Sequence, residues 1–400
     1  MPRSIWSFAT AGTLRFGDGA VDRIAEIVAS EGWRRTALIS DRTLQAAGLV
    51  DRVARQLPDG SCTTYLFEQA EPAVAVAVEA AEILKPFSPD AIIGVGGGSA
   101  IDLAKMVAVA LAHGGQPRDF FGFGKVPGPT LPVIAVPTTA GTGSEVSHSA
   151  VLTDDAGAMK VSTLSPWLRP RYAVVDPQMT RTCPARLTAE TGLDALTHAV
   201  EAFLVRPYGE LDGSRESARA YQGKAPLTDA LAKEAIERIF RSLPPAVANG
   251  RDEEARREMA LASTLAGMAF SNAGVSLVHA LEYPLGGAGL CSHGLGNGML
   301  LPYVVAALAP YREAELALLA RLVGAAEAKT PEDEASARFV QALFDLQGTV
   351  GIPTKLRQIG AREEDLPVYA RKAAAIERLC ELAPGSTDAE TLTAMLRSAW

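Results

Sequence analysis

Apolar and polar residues follow two different periods along this 400-residue chain, and the change of period divides it in two. Over the first 180 residues, short apolar and β-branched runs recur at TALIS (36–40), TYLF (64–67), AIIGV (91–95), VIAVP (133–137) and YAVVD (172–176). Between them lie stretches with apolar positions three and four apart, such as DRIAEIVASEGW, AVAVEAAEIL and AIDLAKMVAVALA, the spacing of one helix face. Strands alternating with helices predict parallel pairing through helical crossovers. The expected fold is an α/β, doubly wound nucleotide-binding domain over residues 1–180. Ligands of such a sheet bind at the carboxyl ends of its strands. After Asp176 and Pro177 the texture becomes Ala- and Leu-rich with a helical period, which predicts an all-α domain over residues 181–400. A polar stretch over residues 206–224 interrupts it with the composition of a surface loop.

Composition narrows the classes of function. Hydrophobic content of 48% over this length buries a large core. Net charge is −8, and the 38 Lys and Arg are scattered rather than striped, so nucleic acid is not an expected partner. No apolar run reaches the ~20 residues of a membrane span. MPRSIWSFATAG lacks the charged, apolar and small-residue order of a secretory signal, so a cytoplasmic protein with no membrane partner is expected. Cys62, Cys183, Cys291 and Cys380 form no CxxC pair and read as reduced thiols. Cys291 is two residues from His293, yet reads as a small buried apolar residue rather than a ligand.

The candidate chemistry begins with Asp194 and His198 in TGLDALTHAVEA, an i, i+4 pair that shares one helix face. Alone, such a pair is ordinarily a charge and a satisfied core histidine. His279 in SLVHALEYPLGG and His293 in LCSHGLGNGMLLP change that, because the chain has only five histidines. The glycines around His293 let backbone come close to a ligand. One carboxylate and three imidazoles suit Fe(II), Zn(II) or Mn(II), and the absence of thiolates argues against a closed structural zinc site.

In AIIGVGGGSAIDLAKMVAVA, four glycines join a strand to a helix, with Ser99 near the N-cap position. Free backbone N–H groups and the helix N-terminus make a pyrophosphate site, although a tight βα turn gives the same pattern. Lys105, one to two turns into that helix, has the position of a solvated cation. In VIAVPTTAGTGSEVSHSAV, Thr138, Thr139, Thr142 and Ser144 could donate to phosphate or hold the nicotinamide amide, or form an ordinary capped loop. Asp41 ends TALIS where a carboxylate accepts from the adenosine ribose 2′-OH, favouring NAD over NADP; a helix N-cap explains it equally well.

GGGSAIDLAK (96–105), PTTAGTGSEV (137–146), DP at 176–177, TGLDALTHAVEA, and HG with a following N at 293–297 stand in one order. In that order they resemble the motifs of the iron-containing, group III alcohol dehydrogenase family, over a span from residue 16 to at least Pro302. The resemblance implies a dehydroquinate synthase-like architecture and hydride transfer between NAD(H) and a small alcohol, aldehyde, hydroxy or oxo compound. It also implies a homodimer and one divalent metal, Fe(II) or Zn(II), held by Asp194, His198, His279 and His293. Gly97, Gly98, Ser99 and Asp102 would serve the pyrophosphate string, Thr138, Thr139, Thr142 and Ser144 the rest of the cofactor, and Lys160 the nicotinamide ribose.

Two positions depart from the family. Ala73 stands where an Asn of a Pro-Asn-Pro-Thr string often contacts cofactor. Tyr283 stands where many members have a second histidine, four residues after the third ligand. His279 and Tyr283 are therefore the catalytic candidates, Tyr283 as an orienting or relay residue. HALEYPLGG and AYQGKAPLTD resemble the hydroxyacid-oxoacid transhydrogenase branch, which keeps NAD bound and takes acidic substrates. There Arg206 or Arg215 could pair a carboxylate, or be solvated surface charges. A dehydroquinate synthase-like lyase is disfavoured by the full GGGSAIDLAK and DALTHAVEA strings. The four intact ligands disfavour a metal-free maleylacetate-type reductase and a silent nucleotide-binding protein.

Overall fold

The structure, a computed structural model, describes residues 4–68, 72–154, 159–214 and 219–400. They form two compact units: Thr10–Cys183, and Pro184–Trp400 joined by the residues that precede Thr10. The crossing at Cys183 lies three residues from the change of period. The amino-terminal segment departs from the sequence expectation. The Ser7 and Ala9 N–H groups donate to Gln222 Oε1 and Asn272 Oδ1, 2.9 Å each, and so tie the segment to the helical unit.

The first unit is built on nine strands: β1 (Thr13–Phe16), β2 (Thr36–Asp41), β3 (Cys62–Phe67), β4 (Ala91–Gly96), β5 (Gly122–Phe123), β6 (Val133–Pro137), β7 (Ser149–Asp154), β8 (Met159–Leu164) and β9 (Tyr172–Val175). Six of them make a parallel sheet in the order β1-β9-β6-β4-β2-β3. Its helices are α1 (Ile24–Ser30), α2 (Arg42–Ala46), α3 (Leu49–Ala54), α4 (Val74–Leu84) and α5 (Gly98–His113). Alternate strand residues point to opposite faces, so Ala37, Ile39 and Ile92 pack with α4 and α5. Leu38, Ile93 and Val95 pack with α1 and α3. Both faces are buried, which is why these strands read as continuous apolar runs.

From β2 the chain first extends the sheet to β3, then returns to add β4 on the other side. The order therefore reverses between β2 and β4, and their carboxyl ends carry Asp41 and the glycine turn. A doubly wound sheet binds nucleotides at such a point. The three-stranded sheet β5-β8-β7, with β7 and β8 antiparallel from Ser149↔Leu164 to Asp154↔Met159, is an element the sequence reading lacks. Its two main strands, SAVLTD and MKVSTL, mix polar and apolar residues instead of forming the continuous apolar runs of the main sheet.

The second unit contains α6 (Ala185–Leu204), α7 (Pro226–Ala248), α8 (Glu253–Ala273), α9 (Leu277–Gly287), α10 (His293–Leu322), α11 (Glu332–Val350), α12 (Leu366–Ala374), α13 (Glu377–Cys380) and α14 (Ala389–Ser398). None of its described residues lies in a sheet. The polar stretch over 206–224 is more than a surface loop: Pro207 bridges Lys224, and Tyr221 is buried. No single described helix is long and apolar enough to cross a membrane.

Candidate active site

At the end of β4, Gly97 is the N-cap of α5 and Ser99, expected near the cap, is the second helical residue, two positions after it. Thr138 N–H donates to Gly96 O at 3.0 Å, joining the ends of β4 and β6. A Cβ on Gly98 would lie 2.6 Å from Thr142 Cγ2, so only glycine lets the two loops close. Gly97, Gly98, Ser99, Thr138, Thr139 and Thr142 thus lie together where the first N–H groups of α5 have no helical acceptor. That arrangement fits a pyrophosphate.

Asp102 and Ser144 face each other. Ser144 Oγ donates to Asp102 Oδ1 at 2.5 Å, and Val151 N–H donates to Asp102 Oδ2 at 2.9 Å. Lys105, which its position would place in solvent, is wholly buried. Its ammonium donates to Ser144 Oγ, Ser147 Oγ and the Ser147 and Ser149 carbonyls at 2.7–3.3 Å. Burial pushes it down to about 8, although Asp102 and Glu145 favour its charge. These three residues brace the loop after β6. Lys160 is half-buried on β8 opposite Thr153. Asp41 caps α2, its Oδ1 accepting from Leu44 N–H at 2.8 Å.

The helical unit brings Asp194, His198, His279 and His293 together: one donor atom from each lies within 4.8 Å of all the others. Asp194 Oδ1 is 3.9 Å from His198 Nε2 and 3.8 Å from His293 Nε2. Two ligands on opposite sides of one ion, each about 2.1 Å from it, would span ~4.2 Å, so these separations suit a shared ion. Asp194 is buried, which by itself would raise its carboxyl. The Asn297 hydrogen bond and, in their protonated forms, His198, His293 and His279 outweigh that and hold it down to about 2. Among these four residues only His293 keeps appreciable exposure, 27% of its side chain.

Three further residues shape the cage and were not predicted. Glu201 Oε2 accepts from His279 Nδ1 at 2.6 Å, while its Oε1 accepts from Val278 N–H at 2.7 Å in the first turn of α9. Glu282 Oε2 accepts from His293 Nδ1 at 2.6 Å. With the proton held at Nδ1, each ring presents the lone pair of Nε2. Asn297 Nδ2 lies 2.8 Å from Asp194 Oδ1 and 3.2 Å from the Nε2 atoms of His279 and His293. A signal was present: Asp194, His198 and Glu201 stand at i, i+4 and i+7 on one face of an otherwise apolar helix.

Packing fixes the remaining freedom. His198 stacks on Phe270 with centroids 4.2 Å apart. The glycines around His293 admit neighbouring protein rather than a ligand. A Cβ on Gly294 would meet Glu190 O of α6 at 2.6 Å, and one on Gly296 would meet Glu282 Cγ at 2.7 Å. The Tyr283 ring lies 6.4 Å from that of His279 and 6.0 Å from that of His293. Arg206 spends its guanidinium on the Glu210 carbonyl at 2.9 Å, and Arg215 lies outside the described residues. Cys291 is half-buried, and Ala73 is buried at the start of α4.

Comparison with known proteins agrees with both halves. Residues 11–177 match the domain described as iron-containing alcohol dehydrogenase, and residues 218–400 match the C-terminal domain of the Fe-containing alcohol dehydrogenase family. The chain is 39% identical over 373 residues to long-chain-alcohol dehydrogenase 1 of Geobacillus thermodenitrificans, covering 92% of this chain and 90% of that protein. It is 34% identical over 359 residues to the NAD-dependent methanol dehydrogenase of Bacillus methanolicus, covering 89% and 90%. Among solved structures, a 1,3-propanediol oxidoreductase superposes with a TM-score of 0.91 at 32% identity, covering 99% of this chain and all of that one.

Glu282 is fully buried, and its Oε2 accepts from His293 while its Oε1 has no hydrogen-bond partner. Glu282→Ala should weaken Fe(II) or Zn(II) affinity about 10- to 100-fold, and Glu282→Gln by less, because the amide oxygen still accepts from Nδ1. Chelator competition measures this. Wild-type affinity in Glu282→Ala would show that the carboxylate does nothing for the cage.

Proposed function

The chain belongs to the iron-containing alcohol dehydrogenase family, and from that premise we propose that Asp194, His198, His279 and His293 hold one divalent ion while the turn at Gly97, Gly98 and Ser99 holds NAD(H). The protein is a metal-dependent oxidoreductase that moves a hydride between NAD(H) and a small alcohol or aldehyde. The observation that carries the assignment of residues is the cage itself, with four donors converging and two imidazoles backed by carboxylates. An ion held there supplies Lewis acidity toward a substrate oxygen.

The chain's own groups do the rest. Glu201 and Glu282 hold protons at Nδ1 of His279 and His293, Asn297 orients Asp194, and Phe270 shields His198 from water. Tyr283 acts beside His279 and His293 as the orienting or relay residue. On the cofactor, the Gly98 and Ser99 N–H groups hold the pyrophosphate with Thr138, Thr139 and Thr142. Asp102 and Ser144 act indirectly, by bracing that loop with Lys105. Lys160 serves the nicotinamide ribose. Asp41 accepts from the adenosine ribose while its other oxygen caps α2.

A homodimer in the cytoplasm completes the proposal. It is supported by cysteines that form no disulfide and by β1, an edge strand with Leu14 exposed, which calls for cover. Sedimentation at the mass of a single chain would contradict the dimer.

Metal-stripped protein should regain NADH production from short alcohols and diols on addition of Fe(II) or Zn(II). His279→Ala should bind no ion and give no turnover while NAD still binds; full turnover without metal would overturn the site. Asp41→Asn keeps the helix cap and removes the charge, so NADP should gain on NAD by about tenfold, the loss of ~1.4 kcal/mol of discrimination. An unchanged cofactor ratio would leave Asp41 as a cap only.

A further inference from the structure

Glu282 carries a buried oxygen that the cage leaves unused. The residue is fully buried and its Oε2 accepts from His293 Nδ1 at 2.6 Å, yet Oε1 has no hydrogen-bond partner among the described residues. A buried acceptor without a donor is costly and uncommon, so a donor fitted to that position would be held firmly. The side chain beside it is a thiol. Cys291 Sγ lies 2.9 Å, and Glu282 Oε1 3.5 Å, from the point where a Cβ on Gly296 would stand. Gly296 therefore lets the sulfur and the carboxylate share one side of the first turn of α10.

Cys291 is also within reach of small solutes. It is half-buried in the link between α9 and α10, and with Leu187, Glu190, Ser292, Leu295 and Ile359 it lines a cavity of about 520 Å³. The whole lining of that cavity belongs to the helical unit. Two other cysteines are placed differently. Cys62 Sγ donates to Thr63 O at 3.6 Å and Cys380 Sγ to Ala373 O at 3.5 Å, and burial pushes both thiols up.

Access of this kind favours oxidation of a cysteine, whose first product is a sulfenic acid. The added oxygen lengthens the side chain and carries its hydrogen there, as a better donor than the weak S–H. Glu282 Oε1 stands ready as the acceptor. A carboxylate that accepts from two partners holds each less strongly, so His293 Nδ1–H would lose part of its support and Nε2 would become a poorer donor to an ion.

We propose that Cys291 is a site of reversible oxidation: a hydroperoxide converts it to the sulfenic acid, whose O–H donates to Glu282 Oε1 and loosens the ion at His293. In this step sulfur takes one peroxide oxygen and is oxidised by two electrons as the O–O bond breaks. The thiol hydrogen leaves with the other oxygen, as water from hydrogen peroxide or as an alcohol from an organic hydroperoxide. Two thiol equivalents reverse the change, giving a disulfide and water. The effect on the ion rests on the dehydrogenase reading of the cage, and the oxidation does not.

The test treats zinc-loaded protein with hydrogen peroxide and dimedone, which marks sulfenic acids, and maps the mark by mass spectrometry. A parallel sample without dimedone, cleared of peroxide by catalase, is titrated with zinc against a chelator. Dimedone should mark Cys291 ahead of Cys62, Cys183 and Cys380. Glu282→Gln keeps an oxygen on His293 Nδ1 but puts an amide nitrogen at the Oε1 position, so the mark should fall about tenfold, the worth of a hydrogen bond to a charged group. Oxidised wild type should bind zinc about 3- to 10-fold more weakly, less than full loss of the carboxylate would cost, and recover with dithiothreitol. Cys291→Ala should show neither the mark nor the weakening. No mark at Cys291, a mark that Glu282→Gln leaves unchanged, or oxidised protein that holds zinc as before would overturn the proposal. A Glu282-dependent mark in protein that binds no zinc even when reduced keeps the oxidation site and removes the cage.

Discussion

Everything at the cage depends on two buried carboxylates hydrogen-bonded to imidazoles, Glu201 to His279 and Glu282 to His293, each at 2.6 Å. Three neutral imidazoles in a dry helical core could adopt either tautomer and several ring orientations. A carboxylate on Nδ1 removes that choice and leaves Nε2 for the ion. Burying such charges costs several kcal/mol each, an expense tolerated only where the partners are close and fixed. The surrounding packing meets that condition. Gly294 and Gly296 let α10 approach α6 and Glu282, Phe270 holds the His198 ring, and Glu201 also ties down the first turn of α9.

The glycine turn after β4, proposed to hold the cofactor, solves a different problem with backbone. A pyrophosphate needs N–H donors and close approach more than side chains. Gly98 supplies both, and the absence of its Cβ lets Thr142 close against it. The polar side chains nearby serve mainly to hold the loop. Lys105 is buried among four oxygen acceptors, and Asp102 joins Ser144 to the Val151 amide. A mobile loop would lose the register between Thr138 and Gly96 that places the Thr hydroxyls.

Much of this was legible in the chain because it is written locally. The five apolar runs become five of the six strands of the main sheet, and the change of period marks the passage to helices. The four residues of the cage were visible because histidines are scarce and one pair stands at helical spacing. What was hidden depends on contacts between distant segments. Glu201 and Glu282 look like ordinary helix carboxylates until α9 and α10 are packed. Lys105 looks solvated until the loop after β6 covers it. The first residues carry no period, and only Gln222 and Asn272 reveal where they belong. The pair β7 and β8 is concealed by its mix of polar and apolar residues, and Tyr221 by a polar neighbourhood that disguises a buried ring.

The most direct measurement is anomalous diffraction at the iron edge from crystals of protein loaded with Fe(II). One peak should stand about 2.0–2.2 Å from Asp194 carboxylate oxygen and from Nε2 of His198, His279 and His293. The Nδ1 atoms of His279 and His293 should remain on Glu201 and Glu282. An iron peak elsewhere, or one at the cage with either imidazole turned to ligate through Nδ1, would contradict the account.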